Sequence, residues 1–413
     1  MAAATGLDLE TSPHARRQRR LVAAVMLLGL SCWFSATAVS PSLQADFGIT
    51  GTQAVLLTSA VQVGFVLGAV GSAALNLADR FDPTRVVAYA SAAAALATAA
   101  LALLAGSLAV AVALRLLTGI ALAAVYPVLM KVMATWAPPA TRGRHFGVLI
   151  GALTVGSAVP QLIRGFAALP WQGVMLAAAA TTALGALVAA YALEPGPASG
   201  AGRVRLDPGY AVRMFSERGP RLVNLGYHGH MWELYALWTW LPTFVLVSQR
   251  EAGGSDGPAV NLTAFAAIGI AGYAGCVVGG RLADRVGRPR AAAGALLVSG
   301  ACCLLSPLMF GRPLIVLLVF VLIWGAAVIA DSGVFSAALS EVADQRYVGT
   351  ALTTMTAVGY TVTVVTIHLT ELLAGMVGWQ YAFLLLAVGP VVGATAMVRL
   401  GPHSEGITTH RIR

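Results

Sequence analysis

Charged residues are scarce in this chain, and acidic residues are the scarcest of them. Among 413 residues, Asp and Glu together number 17 and Lys and Arg 26, so that charged side chains make up 10% of the sequence and hydrophobic ones 58%. So little charge cannot cover the surface of a soluble domain, which excludes the ordinary soluble classes. Apolar stretches of about twenty residues instead predict membrane-spanning helices, which satisfy their own backbone polar groups where hydrocarbon offers no partners.

Several chemical signatures are also missing. Cysteine occurs four times, and all four cysteines fall inside predicted spans, so they imply no disulfide framework. The chain has no Walker-type phosphate loop, no Cys/His metal spacing and no G-x-S-x-G elbow. We therefore expect no enzyme, no cofactor and no metal site, and a protein that draws its energy from gradients.

About twelve apolar spans follow one another along the chain. They cover residues 21–40, 53–75, 86–105, 108–130, 144–168, 172–193, 222–247, 260–280, 291–311, 313–340, 349–373 and 380–400. A segment rich in Pro, Gly and Arg separates two sets of six. The sequence predicts an all-α membrane protein of two pseudo-symmetric six-helix bundles, with a tail at 1–20, bundles at 21–193 and 222–400, a linker at 194–221 and a tail at 401–413.

The cations fall on one side of this topology. With the amino terminus inside, nearly all Arg and Lys lie in cytoplasmic loops, and only Arg250 and Arg312 fall in outer loops. We expect an inner-membrane protein with both termini and the linker in the cytoplasm. Since topology explains the net charge of +9, we expect no nucleic-acid partner. Arg16 to Arg20 and the apolar run after them also imitate a signal peptide, but cleavage would delete the first span and break the symmetry.

The tetrapeptide LADR occurs twice, at Leu77 to Arg80 and at Leu282 to Arg285, each time after a long apolar run. Self-similarity at such a separation indicates two structural halves of like topology. Around the second copy the sequence reads G-x-L-A-D-R-x-G-R-x-R. This pattern resembles the loop motif that joins the second and third helices, and again the eighth and ninth, in the major facilitator superfamily.

The resemblance implies the two-bundle fold of that family, alternating access, a monomer, and a latch that stabilises the outward-open state. The latch residues would be Asp79, Arg80, Gly280, Asp284, Arg285, Gly287 and Arg288. The first copy departs from the pattern at Leu75, Asp82 and Thr84, so its latch is less complete. The physical basis of such a latch is the attraction between an Asp and the positive end of a neighbouring helix. The alternative is that these charges only set the orientation of the chain in the membrane.

The fourth span contains Arg115, followed by Thr118 and Gly119, which resembles the R-x-x-Q/T-G motif of the family. An Arg inside a membrane costs about 2.5 to 3.5 kcal/mol on insertion scales, so it needs a partner or a task. The resemblance implies a role in proton movement or in holding a charged partner. A structural Arg that reaches toward the outer surface is the alternative.

The seventh span holds the densest chemistry of the chain, with His228, His230, Trp232 and Glu233 inside an apolar helix. Glu233 falls near the expected bilayer midplane, and His230 lies one turn before it on the same helical face. A carboxylate and an imidazole at this position can exchange a proton, so we assign Glu233 as the coupling site. A static hydrogen-bonded brace between helices is the alternative.

Further polar residues interrupt other spans. Asp331 in the tenth span is the second candidate acid. Gln161 and Arg164 in the fifth span, with His368 and Glu371 in the eleventh, lie toward the outer side and are vestibule or gate candidates.

These features predict a secondary transporter of a small molecule, coupled to protons and embedded in lipid, with a lean toward uptake of a small organic or inorganic anion. Efflux of a drug-like or metabolite compound is the alternative, although the fifth span lacks the G-P-x-x-G-G-like stretch of drug antiporters. The nitrate signature of the nitrate permeases is absent too, which leaves a distant likeness to cyanate permeases open. A non-transporting membrane sensor is the alternative from another class.

Overall fold

The structure is a computed structural model that describes residues 6–75, 80–138, 141–166, 169–197, 207–254, 257–344 and 346–410. Throughout these ranges the regular elements are helices. Packing groups the chain into two units, Met1–Arg203 with Gly257–Tyr273, and Val204–Asp256 with Ala274–Arg413.

The first unit is built from six main helices. They are α1 (Pro13–Gly29), α2 (Gly51–Ala74), α3 (Pro83–Leu104), α4 (Leu108–Trp136), α5 (Arg142–Phe166) and α6 (Trp171–Tyr191). Short helical turns continue the chain beyond α1, at Leu30–Cys32, Ser35–Ala38 and Ser40–Phe47. A capping box between Thr50 and Gln53 starts α2 by satisfying two backbone N–H groups that a helix end leaves free.

The remaining six helices belong to the second unit, apart from the first part of α8. They are α7 (Arg218–Glu251), α8 (Ala259–Val286), α9 (Arg288–Met309), α10 (Leu314–Val342), α11 (Val348–Val377) and α12 (Trp379–Gly401). The first half of α8, which includes a π-helical turn at Ala266–Ala271, packs with the first unit. There Thr154 Oγ1 of α5 donates to the Gly269 carbonyl at 3.4 Å. The sequence assigned all of α8 to the second bundle, and those bundle bounds stay a prediction.

Within the described ranges, ten helices are long and apolar enough to cross a membrane. The other two main helices are α1, whose first two turns are basic, and α7, which carries the cluster of His, Trp and Glu. Together they make the expected set of about twelve. The all-α membrane fold predicted from the sequence is confirmed.

Glycines bring α2 against α4, and α8 against α10, in the same manner. In each of these two helix pairs, an added Cβ at either of two glycines would overlap a backbone carbonyl oxygen of the facing helix. The contacts are Gly64 on Leu116, Gly68 on Ile120, Gly275 on Ala326 and Gly279 on Ala330. Close backbone approach through small residues is the usual way in which membrane helices associate.

The helices α4 and α10 also break at matching places. The first part of α4 ends at Leu122 and the second begins at Tyr126, while α10 ends its first part at Ile329 and resumes at Ser332. The two units therefore repeat both the glycine contact and the break in the helix that the glycines touch. This internal agreement is what a duplicated fold predicts.

A short linker helix, Pro208–Arg213, docks inside the second unit beside the loop before α11. Asp207 N donates to Thr350 Oγ1 at 3.0 Å, and Asp344 N donates to the Tyr210 hydroxyl at 2.9 Å. Hydrogen bonds from the Arg346 guanidinium lower the pKa of Asp344 to about 2. The loop therefore keeps this ion pair at any physiological pH.

Candidate transport site

The centre of the second unit is a group of polar side chains carried by α7. Glu233 and His230 are each 1% exposed. They lie one helical turn apart, as the sequence predicts, but each faces different partners on other helices.

Three donors converge on one oxygen of Glu233. Its Oε1 accepts from Ser299 Oγ at 2.5 Å, Trp324 Nε1 at 2.6 Å and Cys303 Sγ at 3.3 Å. The first and third donors belong to α9 and the indole belongs to α10. This carboxyl group therefore links α7, α9 and α10 by hydrogen bonds. Its burial away from water costs free energy, and the hydrogen bonds fix which side chains of the three helices must meet.

His230 faces a different acid. Its Nδ1 lies 2.9 Å from Asp331 Oδ1, and both side chains are almost fully buried. The sequence placed His230 as the helper of Glu233, whereas its ring lies against Asp331. Within the described residues the two Asp331 oxygens and His230 Nε2 have no hydrogen-bond partner, so the contact is a close approach of a ring nitrogen to a carboxylate oxygen.

Asp331 occupies the break in α10, directly before the second half of that helix. Rings of Tyr227 and Phe335 lie around His230, with centroids 6.1 and 5.7 Å from its own. An apolar wall strengthens any charge interaction inside it, because the local dielectric is low.

The remaining α7 candidates have more ordinary surroundings. His228 is half-buried between the rings of Phe215 and Tyr227, at 6.4 and 5.9 Å. Trp232 donates from Nε1 to the Leu385 carbonyl at 3.1 Å, which fixes α7 to α12. These contacts are typical of aromatic side chains that pack between helices and hydrogen-bond through one ring nitrogen.

Arg115 lies in the first unit and is fully buried. Its guanidinium donates to the carbonyls of Leu57, at 3.3 Å, and Cys32, at 3.0 Å, to Ser35 Oγ at 3.2 Å, and to the Trp33 carbonyl. Three of these acceptors belong to the irregular chain just after α1. These contacts hold the chain just after α1 in place, and the role of Arg115, in proton movement or as a structural residue, stays a prediction.

The second LADR loop is exposed at Asp284 and Arg285. Gly287 has φ +86° and directly precedes α9, and a left-handed residue of this kind favours glycine. Arg288 then forms an ion pair with Glu341 at the end of α10. In the first copy Arg80 is exposed, and Asp79 lies outside the described residues.

The vestibule candidates are distributed over both units. In the first unit, Gln161 is buried and Arg164 donates to the Leu169 carbonyl at 3.0 Å. In the second, His368 Nδ1 donates to the Val364 carbonyl at 2.8 Å and Glu371 is half-buried. Their roles, like those of the other site residues, stay predictions.

The sequence reasoning missed Ser299, Cys303 and Trp324 as part of the site. The available signal was weak: a Ser and a Cys four residues apart lie on one face of α9, inside an otherwise apolar span. Nothing in the sequence shows that this face meets Glu233.

The sequence matches the family model described as Major Facilitator Superfamily over residues 21–367. This chain belongs to the major facilitator superfamily. It is therefore a membrane transporter of this family, and it is not an enzyme.

Two individual proteins are similar to this superfamily member. One, from Cupriavidus necator, is described as "Probable sulfoacetate transporter SauU" and is 26% identical over 328 residues, which covers 72% of this chain and 74% of that protein. The other is the crystal structure of a bacterial homolog of the human lysosomal transporter Spinster, in an inward-facing, unoccupied conformation. It matches with a TM-score of 0.68 and 15% identity over 94% of this chain and 96% of that one, a likeness of fold.

Proposed function

We propose that this major facilitator protein imports a small organic anion together with protons, across the inner membrane, with both termini in the cytoplasm. Transport itself follows from the family. The substrate, the coupling ion and the direction are the proposal.

The observation that carries the proposal is the acceptor geometry of Glu233. Trp324 Nε1 can only donate, and it donates to the same oxygen as Ser299 and Cys303. That oxygen accepts in both the ionised and the protonated acid, so the proton would bind Oε2. Glu233 can then gain or lose a proton while its contacts to α9 and α10 persist.

A second exchangeable proton belongs to the His230 and Asp331 pair. At a separation of 2.9 Å, a small rotation of the ring or of the carboxylate would form the hydrogen bond through which a proton can pass. Since Asp331 occupies the break in α10, a change in its charge acts on the one place where that helix is not continuous. We propose that this pair links protonation to movement of α10.

The anionic substrate is supported by the likeness to SauU. Sulfoacetate is a small organic dianion, and a dianion entering a cell of negative interior potential needs co-transported protons to offset its charge. Sulfoacetate is therefore the first compound to test.

The experiment follows lumenal pH with a trapped dye in proteoliposomes, while sulfoacetate, small monovalent anions and then lipophilic cations are added outside. Import with protons predicts acidification by an anion. We expect Glu233→Gln, a mimic of the protonated acid, to abolish acidification and proton-driven accumulation while exchange without a gradient continues.

The matched control is Glu251→Gln, the same substitution at an exposed position at the end of α7. It should behave as wild type. Full driven uptake in Glu233→Gln would remove Glu233 from the mechanism, alkalinisation by cations would make efflux the function, and substrate binding without flux would indicate a sensor.

A further inference from the structure

Two acids are buried in the second unit, and within the described ranges no buried Lys or Arg of that unit gives them a fixed counter-charge. Glu233 and Asp331 are 1% and 2% exposed. The buried Arg and Lys side chains of the described residues are Arg19 and Arg115, and both lie in the first unit. The buried base near these acids is His230, whose Nδ1 lies 2.9 Å from Asp331 Oδ1. With the ring neutral, two ionised acids therefore leave two buried negative charges without a cation.

The two acids have separate surroundings. One oxygen of Glu233 accepts from three neutral donors on α9 and α10. His230 lies one helical turn from Glu233, but its ring lies against Asp331. The further titratable neighbours are buried thiols, Cys302 and Cys303 beside Glu233 and Cys276 beside Asp331. Within the described residues no hydrogen bond joins Asp331 to Glu233, so the geometry provides two proton sites and not one shared site.

Protons at these sites are linked to the binding of an anion. A buried carboxylate repels an anion that enters the same low-dielectric interior, and a proton on the carboxyl group removes that repulsion. Anion binding and proton binding therefore favour each other by the same factor. The proton of the His230 and Asp331 pair neutralises the pair whether it resides on the imidazole or on the carboxyl group. Because neither acid has a fixed cation beside it, both should gain a proton with the anion and lose it after release.

We propose that each transport cycle carries two protons, one on Glu233 and one on the His230 and Asp331 pair, and that the substrate is a dianion whose charge they offset. This inference rests on the proposed function, which supplies proton-coupled import, and it adds the number of protons and the charge of the substrate. A cycle that moves two protons with a dianion moves no net charge. The membrane potential then neither drives nor opposes transport.

The transport test uses the wild-type protein in proteoliposomes and finds the inside-to-outside ratio of labelled sulfoacetate at which net flux vanishes. With the interior about one pH unit more alkaline and no membrane potential, two protons predict a ratio of about a hundred, and one proton predicts about ten. A potential of about 100 mV, negative inside, should leave the two-proton ratio unchanged and would lower the one-proton ratio about fiftyfold.

The outcomes separate this inference from the proposed function. The one-proton ratio, with its response to the potential, would overturn the inference and leave proton-coupled import standing. A flux that ignores the proton gradient would overturn both. If sulfoacetate does not move but a monovalent anion does, the dianion is wrong as well. If no anion moves, import of an anion is wrong, and the number of protons is decided by a second test without substrate.

The second test follows the infrared absorption of the protein in lipid as the pH falls, over the range in which the protein stays folded. Two buried groups should gain a proton in the wild type. One is the carboxylic acid of Glu233, and the other is the acid of Asp331 or the imidazolium of His230. Glu233→Gln should remove the first signal alone, H230Q/D331N the second alone, and the exposed control Glu251→Gln neither.

Loss of both signals in Glu233→Gln would show that the two acids share one proton, and the proposal would be wrong. A wild-type spectrum with a single signal would have the same meaning. If the double variant fails to fold, Glu233→Gln still decides, because separate sites predict that the second signal persists in it.

Discussion

Buried charged groups in this protein differ in the kind of partner that each one contacts. Arg115 donates to backbone carbonyls and one hydroxyl of its own unit, and its acceptors hold the chain just after α1 in place. Glu233 instead accepts from side chains of α9 and α10, and His230 faces the carboxylate of Asp331. A group whose partners are carbonyls has a fixed charge environment, whereas a group whose partner is itself titratable can change state.

Replacement of Arg115 by Lys should therefore damage stability and not substrate recognition. Lysine presents a point charge and cannot reach the separate acceptors that the guanidinium fork spans, so at least one charge-assisted bond is lost at about 1.5 to 3 kcal/mol. We expect a lower melting temperature, with substrate affinity of the folded fraction within about twofold of wild type. A large fall in affinity at unchanged melting temperature would place Arg115 in the substrate site instead.

The His230 and Asp331 pair should behave as a unit. Asp331→Asn leaves an imidazole without its buried counter-charge, and His230→Gln leaves an uncompensated carboxylate, so each single variant should lose proton-driven uptake. The double variant removes both charges and should be less destabilised than the sum, with a coupling of about 0.5 to 3 kcal/mol from thermal unfolding. Strict additivity would show that the two groups do not interact.

For single residues, the sequence indicates which side chains are unusual but not which residues they contact. A lone acid in an apolar span marks Glu233 because burial of charge in a membrane is costly. Its donors on α9 and α10 depend on the rotation of two other helices. A single sequence does not fix that rotation to within one residue, which is why the contact between His230 and Asp331 was not predicted.

Among the helices, each predicted span overlaps an observed one. The first span, predicted at 21–40, differs most, because α1 runs from Pro13 to Gly29 and short helical turns follow it, and the breaks were not predicted. The tenth span was predicted as one helix from 313 to 340 with Asp331 as a polar interruption, yet α10 ends its first part at Ile329 and resumes at Ser332. Val334 N donates to Asp331 O, so the hydrogen-bond ladder shifts by one residue where Gly279 approaches the Ala330 carbonyl. Packing against α8 accompanies the break, and Asp331, the polar residue in this span, lies at it.

Substitution of Gly279 by Ala should test this contact directly. The added Cβ would overlap the Ala330 carbonyl oxygen, and overpacking of this kind costs about 1 to 3 kcal/mol. We expect a lower melting temperature and slower transport, because α8 and the break in α10 can no longer approach as closely.

The control for this substitution is Gly294→Ala in α9. A Cβ there meets nothing within 4 Å, so alanine should leave stability unchanged or raise it by about 0.5 to 1 kcal/mol through helix propensity. Equal effects of the two substitutions would show that the α8 to α10 contact is not tight.

In the molecule as a whole, the two units repeat the same helix packing but carry different buried charged residues. Both units pair their second and fourth helices through glycines, and both break the fourth helix of the set at the same place. Yet α4 carries Arg115 before its break, and α10 carries Asp331 in its break. The repeated part is the packing that helices need in a bilayer, and the divergent part is the buried charge, which is where a specific transport reaction would be encoded.

Topology at the scale of the whole chain can be tested with an impermeant maleimide on intact cells. The four native cysteines are buried, so the unmodified protein should give little background. Twelve spans with the amino terminus inside place the end of α7 outside and the start of α3 inside. Glu251→Cys should therefore label in intact cells, whereas Arg85→Cys should label only after permeabilisation, and both positions are exposed. The reverse pattern would invert the chain in the membrane and move the arginines of α1 to the outer surface, where the inward retention of basic loops could no longer explain them.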